Sequence, residues 1–237
     1  MDLLRRALRR GVLPPPAAAR HAEYSMLFSL DDDVGPSERL LTVALDAVQA
    51  ARTIDLAATS ARVVGGPSFA DVWPGEHYRL LAGLVETLQP RLVVEIGTAT
   101  GLSALTMLEK LPDDGRVVTF DVVPWDRVPG GVLRPEDLAT GRLVQHVDDL
   151  ADPAVAGRHR SLLADADLLF VDAAKDGQME RRFLELFDGT SFAKQPVAVF
   201  DDIRLWAMLD IWRGIRRPKL DLTSFGHWSG TGLVDYS

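Results

Sequence analysis

The chain has no cysteine, so neither a disulfide framework nor thiolate chemistry contributes to its fold or function. It also has no asparagine, which excludes N-linked glycosylation. Lysine is scarce: 22 of the 26 basic residues are arginine, leaving Lys110, Lys175, Lys194 and Lys219. No apolar run reaches the roughly 18 residues of a membrane-spanning helix. A phosphate loop of the form G-x-x-x-x-G-K-[ST] is missing too. The net charge of −8 argues against a general nucleic-acid binder, which carries a basic face.

What remains is the composition of a globular protein with a substantial core, 47% hydrophobic and 25% charged over 237 residues. Met1 to Arg10 is short, amphipathic and arginine-rich. Asp2 and the following Pro14-Pro15-Pro16 suit a surface helix and a stiff break better than a signal peptide, so a cytoplasmic location is expected. That amphipathic segment also makes a homodimer plausible. Residues 1–75 read as a helical extension or cap, with a helix opening at Ser37 and an acidic turn at Asp31-Asp32-Asp33. Gly65-Gly66-Pro67 and Trp73-Pro74-Gly75 read as loops, and residues 76–237 form the main domain.

From Arg91 onward strands and helices alternate. Strands are expected at 91–97, 116–122, 142–147, 166–173 and 196–202, and helices at 76–88, 102–111, 152–163, 175–187 and 203–217. Continuous apolar runs such as Val197-Ala198-Val199-Phe200 indicate strands covered on both faces. Two further strands, 220–225 and 231–236, flank a glycine-bounded loop and form a terminal hairpin. The fold class expected is α/β, a doubly wound Rossmann-like sheet of seven strands: five parallel, then an antiparallel hairpin.

The stretch Glu95-Ile96-Gly97-Thr98-Ala99-Thr100-Gly101-Leu102-Ser103 closes a buried strand, turns on two glycines and opens a helix. In open α/β sheets that crevice holds a nucleotide-like ligand. A dinucleotide fingerprint requires G-x-G-x-x-G, and Ala99 stands where its second glycine belongs. Asp121 ends the next strand about 20 residues on, where an acid can accept both ribose hydroxyls. Asp172 ends the fourth strand, and Asp201 and Asp202 end the fifth. Taken singly, each of these acids serves equally well as a helix cap. Together on one rim, they repel unless a cation sits between them, and hard oxygen donors select Mg²⁺, Ca²⁺ or Mn²⁺. Lys175 is expected at the start of the next helix, its amine near whatever Asp172 binds; a solvated surface lysine is the plain alternative.

Glu95-x-Gly97-x-x-x-Gly101-x-Ser103, Val171-Asp172-Ala173-Ala174-Lys175-Asp176 and Phe200-Asp201-Asp202 together resemble the cation-dependent O-methyltransferases of the catechol and caffeoyl-CoA type. These are class I enzymes dependent on S-adenosylmethionine (SAM). The resemblance implies a metal site of Asp172, Asp201 and Asp202 and a catalytic Lys175. It also implies a SAM site of Glu95, Gly97, Thr98, Gly101, Ser103, Asp121 and Asp172, with Asp148 or Asp149, Asp149 preferred, at the adenine. Its cofactors are SAM and Mg²⁺ or another divalent cation, and its acceptor a small-molecule hydroxyl. The family usually has asparagine where this chain has Asp202, and the tail after Pro218 resembles an uncharacterised bacterial branch more closely. The residues alone leave room for a metal-independent SAM enzyme, a nucleotide-binding Rossmann protein or a non-catalytic SAM-fold module. His227 and Trp228 could line a pocket, but read slightly better as a hairpin loop with an exposed histidine and a packed indole; Trp206 and Trp212 read as core.

Overall fold

The computed structural model describes residues 34–64 and 69–237. The amphipathic start, the acidic turn and the Gly65-Gly66-Pro67 loop lie outside the described residues. No helix among those described is long and apolar enough to cross a membrane.

Helix α1 (Glu38–Ala51) begins where Ser37 accepts the main-chain N–H of Leu40 at 3.1 Å, satisfying one of the first-turn donors. A short helix α2 (Ala57–Ser60) and helix α3 (Tyr78–Leu88) follow. The sheet then starts with β1 (Leu92–Ile96), helix α4 (Leu102–Leu108) and β2 (Arg116–Asp121). After α5 (Pro135–Ala139) and β3 (Leu143–Val147) come α6 (Pro153–Arg158) and α7 (Arg160–Ala164). The remainder is β4 (Leu168–Val171), α8 (Met179–Asp188), β5 (Val197–Asp201), α9 (Met208–Gly214), β6 (Lys219–Asp221) and β7 (Thr231–Asp235).

The strands lie in the order β3-β2-β1-β4-β5-β7-β6. β3 to β5 are mutually parallel, and β7 runs antiparallel to both β5 and β6. The expected seven-stranded sheet with an antiparallel end is therefore present. β1, β4 and β5 are buried along their whole length. Their side chains divide by strand period: Val93, Leu168, Phe170 and Val199 face a core with α1, α3 and α4, whereas Val94, Leu169, Val171 and Phe200 face a second with α8. Helix α1 thus shares a core with the sheet, and Ser37 and Arg39 bind Asp235 at the end of β7.

Several helices are shorter than the apolar spacing implies. The expected helix 152–163 is broken at His159 into α6 and α7. The expected 175–187 helix starts only at Met179, and 203–217 shrinks to Met208–Gly214, because both preceding segments are bent into loops that serve the site. Trp212 is core at 4% exposed, but Trp206 lies in one of these loops at 76% exposed, which corrects its assignment to the same apolar stripe.

The α1–α3 contact is close because Gly83 has no side chain. A Cβ there would stand 2.4 Å from the Ala47 carbonyl oxygen and 3.1 Å from the Ala51 nitrogen. Gly83→Ala should push the helices apart and cost about 1–3 kcal/mol. At this chain length that is roughly 2–4 °C of Tm per kcal/mol, readable by thermal melting monitored by circular dichroism.

Candidate functional site

Strand register assembles the site. Ile96 of β1 pairs with Val171 of β4, and Val171 with Phe200 of β5. The next residue of each strand, Gly97, Asp172 and Asp201, therefore emerges side by side on the carboxyl rim. Asp121 ends β2 at the same level, since Phe120 pairs with Ile96. Gly97 has φ of +100°, and a Cβ on it would stand 1.9 Å from the Asp172 carbonyl oxygen. Only glycine lets β1 turn here against β4.

Asp172, Asp201 and Asp202 offer carboxylate oxygens that all lie within 4.8 Å of one another. Neither flanking segment supports the helix-cap reading of these acids. α8 begins seven residues after Asp172, and Asp202 has a left-handed backbone (φ of +57°) six residues before α9. Lys175 is likewise not on a helix. It has φ of +61° in the loop before α8, where the buried Glu180 carboxylate accepts the N–H groups of Lys175 at 2.7 Å and Gly177 at 2.9 Å. That anchor turns the lysine side chain inward: it is 6% exposed, its Nζ bonds Asp172 Oδ1 and lies 3.3 Å from Asp202 Oδ2.

Two histidines absent from the sequence-derived site complete the cluster. His77, just before α3, is buried with Nδ1 3.3 Å from Asp201 Oδ1. His227 is not a free loop residue: its Nδ1 is 3.4 Å from Asp201 Oδ1 and 3.3 Å from Asp202 Oδ1, and its Nε2 is 3.1 Å from Glu76 Oε2. Ser229 donates to Asp202 Oδ1 and also lies 2.7 Å from His227 Nδ1. A bridge between Gly75 and His227 brings these two distant loops together. Trp228, expected to pack, is 71% exposed.

The electrostatics follow from this crowding. Burial pushes the Asp172 carboxyl up, and Asp201 beside it adds to the effect. Burial would raise Asp201 and Asp202 too, but His77, His227 and Lys175 hold Asp201, and His227, Ser229 and Lys175 hold Asp202, below the usual carboxylate range. Burial disfavours the Lys175 ammonium, yet Asp172 and Asp201 keep it above the usual lysine range. His227 is likewise opposed by burial but raised to about 10 by Asp201, Asp202 and Glu76.

Beside the acids lies a cavity of about 290 Å³, walled by Gly97, Asp121, Asp149, Asp172 and Phe183 among others. Asp121 accepts the Ala99 N–H through Oδ2 and the Val123 N–H through Oδ1, both at 2.9 Å. Asp148 also reaches the cavity, but Arg158 and His159 hold its carboxylate at 2.8 Å each. The Asp149 carboxylate accepts the Ala151 N–H at 2.8 Å. Thr98, Ser103 and Glu95 lie beneath the turn, off the cavity wall: Thr98 bonds Thr119 at 2.7 Å, and Ser103 donates to Glu95 Oε1 at 2.5 Å. Gly101, φ +83°, opens α4 against Leu133. A larger groove of about 510 Å³ between α6 and α8 contains none of the clustered acids.

A family model described as O-methyltransferase matches residues 71–190, just over half of the chain. The chain belongs to the SAM-dependent O-methyltransferase family. Among curated relatives of this family, catechol O-methyltransferase domain-containing protein 1 of Mus musculus is 33% identical over 102 residues, covering 39% of this chain and 38% of that protein. Tricin synthase 1 of Oryza sativa subsp. japonica is 32% identical over 108 residues, covering 42% of this chain and 41% of that protein. The chain thus spans about two fifths of the length of the curated relatives it matches. Among solved structures, the SAH-bound methyltransferase PaMTH1 of Podospora anserina has a TM-score of 0.51 at 14% identity, covering 93% of this chain and 94% of that one. That likeness establishes a shared fold.

Glu95 yields a prediction about pH. It is fully buried, its Oε2 has no hydrogen-bond partner, and burial raises its pKa from 4.5 to about 8 despite the Ser103 bond. The folded protein keeps a proton that the unfolded chain releases, so this group's contribution falls as pH rises from about 4.5 to about 8. Urea midpoints at pH 5 and pH 8 should converge in Glu95→Gln relative to the parent chain.

Proposed function

We propose that the protein transfers the methyl group of SAM to a hydroxyl oxygen of a small molecule, assisted by a divalent cation at Asp172, Asp201 and Asp202. The carrying observation is the convergence of those three carboxylates within 4.8 Å at the edge of the cavity whose wall includes Asp172. The donors suit a hard cation, and Asp201 Oδ1 is a buried oxygen with no hydrogen-bond partner. A bound cation supplies Lewis-acid polarisation, which lowers the pKa of an acceptor hydroxyl.

In this reading the cavity takes SAM. Each Asp121 oxygen spends one lone pair on a main-chain N–H and keeps another for a ribose hydroxyl. Asp149 faces the adenine, and the bare Gly97 lets the methionine end approach the main chain. Glu95, Thr98, Gly101 and Ser103 hold the shape of that turn from below. The acceptor oxygen attacks the methyl carbon as the carbon–sulfur bond breaks, with S-adenosylhomocysteine as the leaving product. Because the sulfonium already activates the methyl group, the residues contribute alignment and proton handling.

Lys175 Nζ is the proton acceptor in this scheme. Its carboxylate neighbours keep it protonated; when their charge is engaged elsewhere, burial favours the neutral amine and the base becomes available. The exposed indoles of Trp206 and Trp228 sit on the loops that carry Asp202 and His227, which favours an acceptor with a flat apolar body.

One observation favours a second reading. The Lys175 ammonium itself reaches both Asp172 and Asp202 and could serve as their counter-charge in a metal-independent SAM enzyme. Transfer of radiolabelled methyl from SAM to a hydroxyl panel, with and without chelator, separates the two. Chelator should abolish transfer and added Mg²⁺ or Mn²⁺ restore it; full activity in chelator selects the second reading. Lys175→Ala should lower kcat by about 10²–10⁴ with SAM affinity unchanged. Asp121→Ala should instead weaken SAM binding, read by calorimetry.

A further inference from the structure

The donor atoms around Asp201 are not all oxygen. His77 is 3% exposed, and neither of its ring nitrogens has a hydrogen-bond partner; Asp201 Oδ1 is likewise buried and unpartnered. These atoms are nonetheless close, His77 Nδ1 at 3.3 Å and His227 Nδ1 at 3.4 Å from that oxygen, without the alignment of a hydrogen bond. His227 Nδ1 is also 3.3 Å from Asp202 Oδ1. Such spacings are those of ligands sharing one ion: two donors bound tetrahedrally at about 2.0–2.1 Å lie about 3.3–3.4 Å apart.

The outer contacts suit ligation as well. His227 Nε2 faces Glu76 Oε2 at 3.1 Å, so the ring can give its proton outward and turn the Nδ1 lone pair toward the acids. A carboxylate behind a ligating histidine fixes its tautomer and orientation in this way. Ser229 reaches both His227 Nδ1 and Asp202 Oδ1 but has a single proton; given to Asp202, it leaves Nδ1 open.

We propose that His77 and His227 are direct ligands, with Asp201, of a divalent transition-metal ion of the Mn²⁺, Co²⁺ or Zn²⁺ class. Imidazole nitrogen suits these ions, whereas Mg²⁺ is bound through oxygen. The inference rests on the reading of the acids as a cation site and adds to it the nitrogen donors and hence the class of ion. Asp172 and Asp202 complete the cluster on the Lys175 side, and the Lys175 amine is left for the proton of the acceptor.

The test uses the metal-free full chain titrated with Mn²⁺ and with Mg²⁺, and pulsed electron paramagnetic resonance of bound Mn²⁺ to detect ¹⁴N couplings. A second cluster, His146, Asp148 and His159, could also supply nitrogen, so His146→Gln is the control. The expected result is one Mn²⁺ with nitrogen couplings, bound at least tenfold more tightly than Mg²⁺. The couplings should weaken, and Mn²⁺ affinity fall about tenfold or more, in His227→Gln and in His77→Gln, and both should persist in His146→Gln. His227 lies in a loop, so its variant carries the test should the buried His77 prove necessary for folding. Mn²⁺ bound without nitrogen couplings, or couplings that survive in His227→Gln, overturns the inference and leaves an all-oxygen site with the methyl-transfer reading intact. Absence of binding by either ion overturns both.

Discussion

Mutual repulsion among Asp172, Asp201 and Asp202 is the constraint around which the rim of this sheet is organised. Three carboxylates within 4.8 Å need positive charge close by, and burial makes the requirement stricter because water cannot screen them. The chain responds with Lys175 and His227, whose protonated forms these acids favour. Each of these side chains is delivered by irregular backbone rather than by a helix face. The loops before α8 and α9 bend through left-handed residues at Lys175 and Asp202, a conformation disfavoured for residues with a side chain. The buried Glu180 and the Ser229 hydroxyl hold those bends in place.

The sheet makes such a cluster possible by fixing its geometry before any side chain is chosen. Adjacent parallel strands in register deliver Gly97, Asp172 and Asp201 along one line, at neighbouring-strand spacing. The antiparallel β7 closes the far side, pairing Thr231 with Asp201 and presenting the loop that carries His227 and Ser229. The terminal hairpin is thus more than an edge cover: it contributes one wall of the candidate site. The cavity of about 290 Å³ lies on the opposite side, between β1, β2 and β4, so Asp172 belongs to both.

What could be read from the residues was whatever depends on local pattern. Buried strands announce themselves as apolar runs, Ser37 as a cap, and strand-end acids by the residue that follows the run. Those features place β1 to β5, the hairpin and the three carboxylates. Features that depend on long-range closure were not legible. Lys175 looked like a helix-start residue because Ala173-Ala174-Lys175 has high helix propensity, yet the chain reserves that segment for a turn around Glu180. His77 and His227 are 150 positions apart and meet only through the Gly75–His227 bridge. Trp206 fell on an apolar stripe whose helix does not form there.

Asp202 sits where Lys175 and His227 approach the same carboxylate from two sides. The related enzymes that this chain resembles usually carry asparagine at that position, so the extra carboxylate adds a full negative charge to an already anionic cluster. Its Oδ1 accepts from Ser229 and stands 3.3 Å from His227, and its Oδ2 stands 3.3 Å from Lys175. A side chain with only one acceptor oxygen could not meet partners on both sides in this way. The imidazole and the additional carboxylate therefore act as one unit: without His227 the acid would keep only Lys175 and the Ser229 hydroxyl, and without Asp202 the imidazole would lose one of the two carboxylates it approaches. Their joint presence, rather than either alone, distinguishes the electrostatics of this rim from a site with three oxygen donors and a single lysine.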